Sequence, residues 1–204
     1  MSRYTLLFLN GAILTVCAVF IYDARAWVLT GLMLFLPMFD RHWLNHHWQL
    51  SCRRVGIAHQ LIGGRCPPYG RCLIWLALVS MGLALIWFNP QHISTAAMIL
   101  LFTALPEEWF FRAYVLTRVE QLLADPSPTS PHKTLWLANI TTSIFFTLIH
   151  LPTQGITGLL VLLPSLLFGW LYQVYRNILL VIFLHALSNL IFIIYIRDML
   201  LIHL

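Results

Sequence analysis

The sequence predicts an all-α fold, a polytopic transmembrane bundle of about seven helices with the N-terminus inside. Three observations predict it. Of the 204 residues, 60% are hydrophobic and only 9% charged, against roughly 25% charged in ordinary soluble domains. The mean hydropathy is +0.81. Apolar runs of the roughly 17–25 residues that cross a bilayer recur along the chain. So little charge cannot cover a water-soluble globule, which excludes a soluble enzyme, a disordered chain and a disulfide scaffold. Each crossing is expected to be helical, because an isolated strand in lipid leaves its backbone groups unsatisfied.

The elements follow in order. Tyr4–Tyr22 is the first run. Ser2-Arg3 ahead of it and Ala24-Arg25-Ala26 behind it resemble a signal peptide. The run is longer than the usual apolar region of one, and another hydrophobic segment follows at once, so it reads as a retained helix. Ala26–Phe39 is short for a crossing and needs tilt or local thinning; lying in the interface, it would reduce the count to six. Asp40–Arg71 is the largest non-apolar segment, with Arg41, Arg53, Arg54, Arg65 and Arg71. Its Trp43, Trp48 and Leu50, beside His42, His46 and His47, read as a segment at headgroup level. Cys72–Phe88 is the third run, ended by Asn89-Pro90. Thr95–Leu122 is the fourth and is interrupted by charge. A polar turn, Asp125–Pro131, leads to Thr134–Leu151, and Pro152–Gly155 leads to Ile156–Tyr175. Ile178–Tyr195 completes the set. The chain thus divides into N-terminal transmembrane helices (1–94), with a basic cytoplasmic loop over 40–71, and a helical core (95–204).

The net charge of +5 does not point to nucleic acid, because the Arg residues occupy the gaps between apolar runs as topology signals do. With seven crossings and the N-terminus inside, the inner side holds Arg3, the five loop Arg, Arg118, Lys133 and Arg176. The outer side holds Arg25 and Arg197. Cys17, Cys52, Cys66 and Cys72 match no zinc spacing and read as reduced thiols.

The informative residues are ionisable ones inside apolar runs, where a charge costs a few kcal/mol and marks function by default. The fourth run contains Pro106-Glu107-Glu108-Trp109-Phe110-Phe111-Arg112. Glu108 and Arg112 are four apart and can pair on one helix face. Glu107 points about 100° away, free to face something else. Pairing with Arg112 relieves the conflict between adjacent carboxylates. Pro106 is expected to kink the helix just before them. An ion network that only locks helices together remains open at this point. Two more polar sites lie within the membrane: His150, after Phe146 in the fifth run, and His185 with Asn189, four apart in the last. At 1.5 Å per residue, Glu107 lies roughly 18 Å below the outer surface, and His185 and Asn189 roughly 10–17 Å above the inner one. His150 falls in the outer half, so all four can meet in a core of about 30 Å.

Glu107-Glu108-x-x-x-Arg112, Phe146-x-x-x-His150 and His185-x-x-x-Asn189, in that order on separate helices, resemble the three-motif signature of the CAAX protease and bacteriocin-processing (CPBP, or Abi) family. Phe168-Gly169-Trp170-Leu171-Tyr172 through Arg176-Asn177-Ile178 looks like that family's link between its second and third motifs. The resemblance covers about residues 95–196. It implies an intramembrane glutamic endopeptidase in which Glu107, helped by His150, activates water. His185 and Asn189 would donate to the tetrahedral oxyanion, and Glu108 and Arg112 would hold the first motif in shape. The chemistry is sound: amide hydrolysis needs a base and preorganised donors where charge develops, and no Ser or Cys nucleophile.

Neither cofactor nor metal is expected. One alternative sets a divalent metal between Glu107, His150 and His185; another is a non-catalytic immunity or scaffold membrane protein. A proton relay through Glu107 and Glu108 has only the carboxylates in its favour. The expected partners are the lipid bilayer and a membrane-associated protein or peptide substrate: a prenylated CAAX tail, a leader peptide or a C-terminal sorting tail. The expected location is a bacterial plasma membrane, crossed several times.

Overall fold

The structure is a computed structural model that describes residues 3–20, 25–40, 43, 68–123 and 131–196. Among these residues it is all helical. The helices are α1 (Arg3–Phe20), α2 (Arg25–Phe35), α3 (Pro68–Phe88), α4 (Pro90–Leu123), α5 (Pro131–Gln154), α6 (Leu162–Tyr175) and α7 (Ile178–Ile196). A 3₁₀ turn, Leu36–Phe39, extends α2. Three helical stretches are long and apolar enough to cross a membrane: Pro90–Leu123, Lys133–Tyr175 and Ile178–Ile196. Leu7–Ala18, Trp27–Phe39 and Cys72–Phe88 are shorter apolar helices. The basic segment over 41–67, apart from Trp43, lies outside the described residues, as do 21–24 and the turn over 124–130.

Lys133–Tyr175 is folded back on itself. The Gln173 side chain donates to the Leu135 carbonyl at 2.8 Å, and the Asn139 amide donates to the Leu166 carbonyl at 2.9 Å. Gly158 packs against the backbone of His150. These pairings run in opposite directions along the chain, so α5 and α6 form an antiparallel hairpin. Its bend is a 3₁₀ strap, Gly155–Val161, entered through Gly155 at φ +60°, a conformation glycine adopts without strain. A Cβ at Gly158 would stand 3.2 Å from the His150 carbonyl. The sixth run therefore begins its α-helix at Leu162, after this strap, rather than at Ile156. Asn139 is fully buried and occupies the space where Gly169 has no side chain. That contact explains a glycine in the middle of an apolar helix.

Pro106 does not end α4. A proline lacks the N–H that would bond the carbonyl four residues back, here that of Phe102. The Thr30 hydroxyl of α2 donates to that oxygen at 3.0 Å. Wide π-type turns over Ile99–Ala104 and Trp109–Leu116 flank the regular turn Leu105–Glu108, and the Leu105 N–H reaches back five residues to Leu100. Such turns absorb an irregularity without leaving backbone groups open to lipid.

The N-terminal helices clasp α4 through a second buried polar cluster. Asp40 pairs with Arg118 at 2.9 Å, both almost free of solvent. The same carboxylate accepts from the Tyr114 hydroxyl at 3.4 Å and from the Trp43 backbone N–H at 3.0 Å. Asn10 on α1 donates to the Tyr114 hydroxyl at 2.9 Å. The Trp43 indole N–H donates to the Ala113 carbonyl at 3.0 Å and to Thr117 at 3.2 Å. One expectation is corrected here. Trp43 is not an interfacial ring but a core residue, because its N–H finds acceptors on α4 and its ring packs edge-on against Trp109 and Tyr114. Arg118, counted in the sequence among the inner-side charges, is drawn into the core by Asp40.

Removing one partner of a buried pair strands the other charge. Asp40→Ala is expected to lower stability by about 3–5 kcal/mol. Replacing Arg118 with Met in the same chain is expected to restore most of it. Unfolding in detergent micelles measures both; equal stability of Asp40→Ala and the parent chain would refute the clasp.

Candidate active site

Four helices bring the site together. α4 supplies Glu107, Glu108 and Arg112, α5 supplies Phe146 and His150, α6 supplies Ser165 and Phe168, and α7 supplies His185 and Asn189. The helical period turns Glu107 and Glu108 to different neighbours.

Glu108 faces the interior. One oxygen, Oε2, accepts from Arg112 Nε at 3.0 Å, and neither side chain is exposed. The other, Oε1, accepts from His185 Nδ1 at 2.7 Å. Arg112 extends the chain outward: Nη2 donates to Ser165 Oγ at 2.8 Å, and the guanidinium lies 5.5 Å from the Phe146 ring centroid. A carboxylate and a guanidinium in a dry interior are tolerable only with such partners.

His185 is held by two aromatic rings and at one nitrogen. Its ring stacks on Phe168 with centroids 5.5 Å apart and meets Phe146 edge-on at 6.4 Å. With Nδ1 fixed on Glu108, Nε2 points at Glu107, 3.7 Å from Oε2. That distance is too long for a hydrogen bond. Glu107 Oε2 is buried and has no hydrogen-bond partner among the described residues, although the side chain keeps 15% of its exposure. A buried acceptor left open in this way calls for an explanation, and a bound water or reacting group is the usual one.

His150 comes to the site through Phe146. Its Nδ1 lies 2.7 Å from the Phe146 carbonyl, which can only accept, so Nδ1 carries the proton and Nε2 is left free to act. The two rings stand 4.3 Å apart, and His150 lies within electrostatic reach of Glu107. Asn189 sits one turn beyond His185 on α7, partly exposed, with its side-chain amide unbonded among the described residues. Glu107, Glu108, Arg112 and His185 are thus in direct contact, His150 adjoins them, and Asn189 is beside them without a bond.

A metal set of Glu107, His150 and His185 does not form here: among the described residues no three His, Cys, Asp or Glu side chains are arranged to hold an ion. The sequence gives no sign of Ser165, and it places Phe168 only in the link between the second and third motifs. Ser165 stands as an aliphatic hydroxyl between Pro164 and Leu166 in the run Ile156–Tyr175; nothing in a single sequence ties it to an arginine 53 residues earlier.

Residues 89–191 match the family model described as type II CAAX prenyl endopeptidase Rce1-like. No curated protein and no solved structure matches the chain.

The two carboxylates are expected to differ sharply in their effect on stability. Glu108→Ala strands Arg112 and is expected to cost about 3–5 kcal/mol. Glu107→Ala removes a buried oxygen with no hydrogen-bond partner among the described residues and is expected to leave the unfolding midpoint unchanged or raised. Thermal unfolding of both variants in detergent checks this; equal losses would contradict the division of labour.

Proposed function

The chain belongs to the Rce1-like family of type II CAAX prenyl endopeptidases, and we propose that it hydrolyses a peptide bond within the membrane with a water activated by Glu107 and a histidine. It is an integral membrane protein by its family and its apolar helices. The observation that carries the proposal is the open, buried Oε2 of Glu107 facing His185 Nε2 at 3.7 Å.

In the proposed mechanism Glu107, with His150 beside it, takes a proton from water. The hydroxide forms a C–O bond at the scissile carbonyl, whose π electrons move onto oxygen. The Asn189 amide and His185 Nε2 donate to that oxyanion, the term that usually contributes most to such catalysis. Donation from both nitrogens requires His185 to be the imidazolium, and Glu108 at Nδ1 is the counter-charge that suits it. The intermediate then collapses: the C–N bond breaks, and the amine leaves with the proton gathered at Glu107. Glu108 and Arg112 touch no reacting atom and act as positioning residues.

The substrate class is a membrane-associated protein or peptide, a prenylated CAAX tail being the one that the family description names. Leader peptides and sorting tails are alternatives of the same chemistry. Seven crossings with the N-terminus inside fit the excess of Lys and Arg on the inner side, and a bacterial plasma membrane is the proposed location.

A fluorogenic peptide ending in a farnesylated Cys-aliphatic-aliphatic-X tail, in micelles with purified protein, tests the reading. Cleavage at the prenyl-cysteine is expected, with rates reduced at least about 10³-fold in Glu107→Ala and about 10²–10⁴-fold in His150→Ala, the range of acid–base contributions. Undiminished cleavage by Glu107→Gln would sink it. Biological rescue by Glu107→Ala would favour a scaffold instead.

A further inference from the structure

Ser165 belongs to none of the three motifs and lies in a helix from which no site residue was expected. It is 1% exposed. Its Oγ is 2.8 Å from Arg112 Nη2, and Arg112 Nε is 3.0 Å from Glu108 Oε2. The other Glu108 oxygen is 2.7 Å from His185 Nδ1, whose Nε2 faces Glu107. These contacts form an unbroken line from α6 through α4 to α7.

The line has one weak point, at its outer end. The Glu108 carboxylate meets Arg112 at Nε through one oxygen, and a single contact of that kind does not fix the rotation of the guanidinium. Arg112 Nη1 is buried and has no hydrogen-bond partner among the described residues. Ser165 is therefore the hydrogen-bond acceptor that fixes the far side of the guanidinium, while the Phe146 ring supports its face. If the guanidinium rotates, the carboxylate follows, because a buried charged pair moves as a unit in a medium that gives neither charge another partner. The imidazole hydrogen-bonded to that carboxylate then swings with it. Misplacement of a reacting group by about 1 Å is enough to lower a rate by orders of magnitude.

We propose that Ser165 is a positioning residue for the reaction: through Arg112 and Glu108 it sets the angle at which His185 presents Nε2 to Glu107. The assignment rests on the protease reading for its effect on rate, and on geometry alone for its effect on His185.

The test has two arms on the full chain in detergent micelles. The first is turnover of the farnesylated peptide; the second is the ¹⁵N spectrum of labelled histidine, with the His185 signals identified by their loss in His185→Gln. Ser165→Ala is expected to shift the His185 signals and to lower kcat about tenfold, the effect of losing one hydrogen bond to a charged group, with KM unchanged. Ser165→Thr keeps the hydroxyl and is expected to retain both values. In an Arg112→Lys background, Ser165→Ala is expected to add nothing further. The inference is overturned by unshifted His185 signals in Ser165→Ala, by a Thr variant as impaired as the Ala one, or by an effect equally large beside Arg112→Lys. A parent chain that fails to cut the peptide would overturn the protease reading, and the His185 signals would then decide the role of Ser165 alone.

Discussion

The structure depends on one carboxylate. Glu108 has no contact with solvent and gives one oxygen to Arg112 and the other to His185. Alone in this environment it would be prohibitively costly to bury, and so would Arg112. Each is tolerable only because the other is there. Meeting that requirement joins α4 to α7 directly and to α6 through Ser165. The same atoms that solve the burial problem fix the ring of His185. Stability and the geometry of the site thus have a common origin, and Glu107, one residue earlier, faces His185 with its Oε2 free of hydrogen bonds among the described residues.

The second constraint is the absence of water to satisfy a broken backbone. A proline at 106 places an irregularity beside the carboxylates, and the open carbonyl of Phe102 would be expensive in lipid. The Thr30 hydroxyl meets it from α2, so the irregularity itself becomes a helix–helix contact. The α5–α6 hairpin uses the same device, with Asn139 donating to the Leu166 carbonyl where Gly169 leaves room. Small residues and side-chain amides substitute for the hydrophobic drive that helices lack inside a bilayer. This is why α5 and α6 can lie close enough for Ser165 on one and Phe146 on the other to hold the same guanidinium.

Much of this was legible in the sequence, and the reason is cost. Charges in apolar runs are rare enough that Glu107, Glu108, Arg112, His150 and His185 stand out without any structure. Helical spacing alone puts Glu108 and Arg112 on one face. What could not be read is which partner each group takes across helices. Sequence allowed Glu107 to face anything; in space it faces the nitrogen of His185 that Glu108 leaves free. Trp43 read as interfacial because its neighbours are polar and basic, yet indole is amphipathic and suits a core with an acceptor as well as a headgroup layer. Ser165 and Asp40 carry no spacing signal at all, since their partners lie 53 and 78 residues away.

Asp40 also bears on the part of the chain before residue 89, which the family match does not cover. α4 carries two buried arginines six positions apart, and each is neutralised from a different carboxylate. Arg112 is paired within α4 itself, while Arg118 depends on Asp40, from the end of the α2 segment. Tyr114, Trp109 and Ala113, between or beside them, are packed by Trp43, and Tyr114 is bonded by Asn10. The helix bearing both carboxylates is therefore gripped on one side by α5, α6 and α7 and on the other by α1 and the α2 segment. A core containing residues 89–191 alone would leave Arg118 buried without its counter-charge or force it out to solvent, and would leave the Phe102 carbonyl open. The N-terminal helices are structurally part of the site's support, and α2 packs against the turn Leu105–Glu108 that carries both carboxylates.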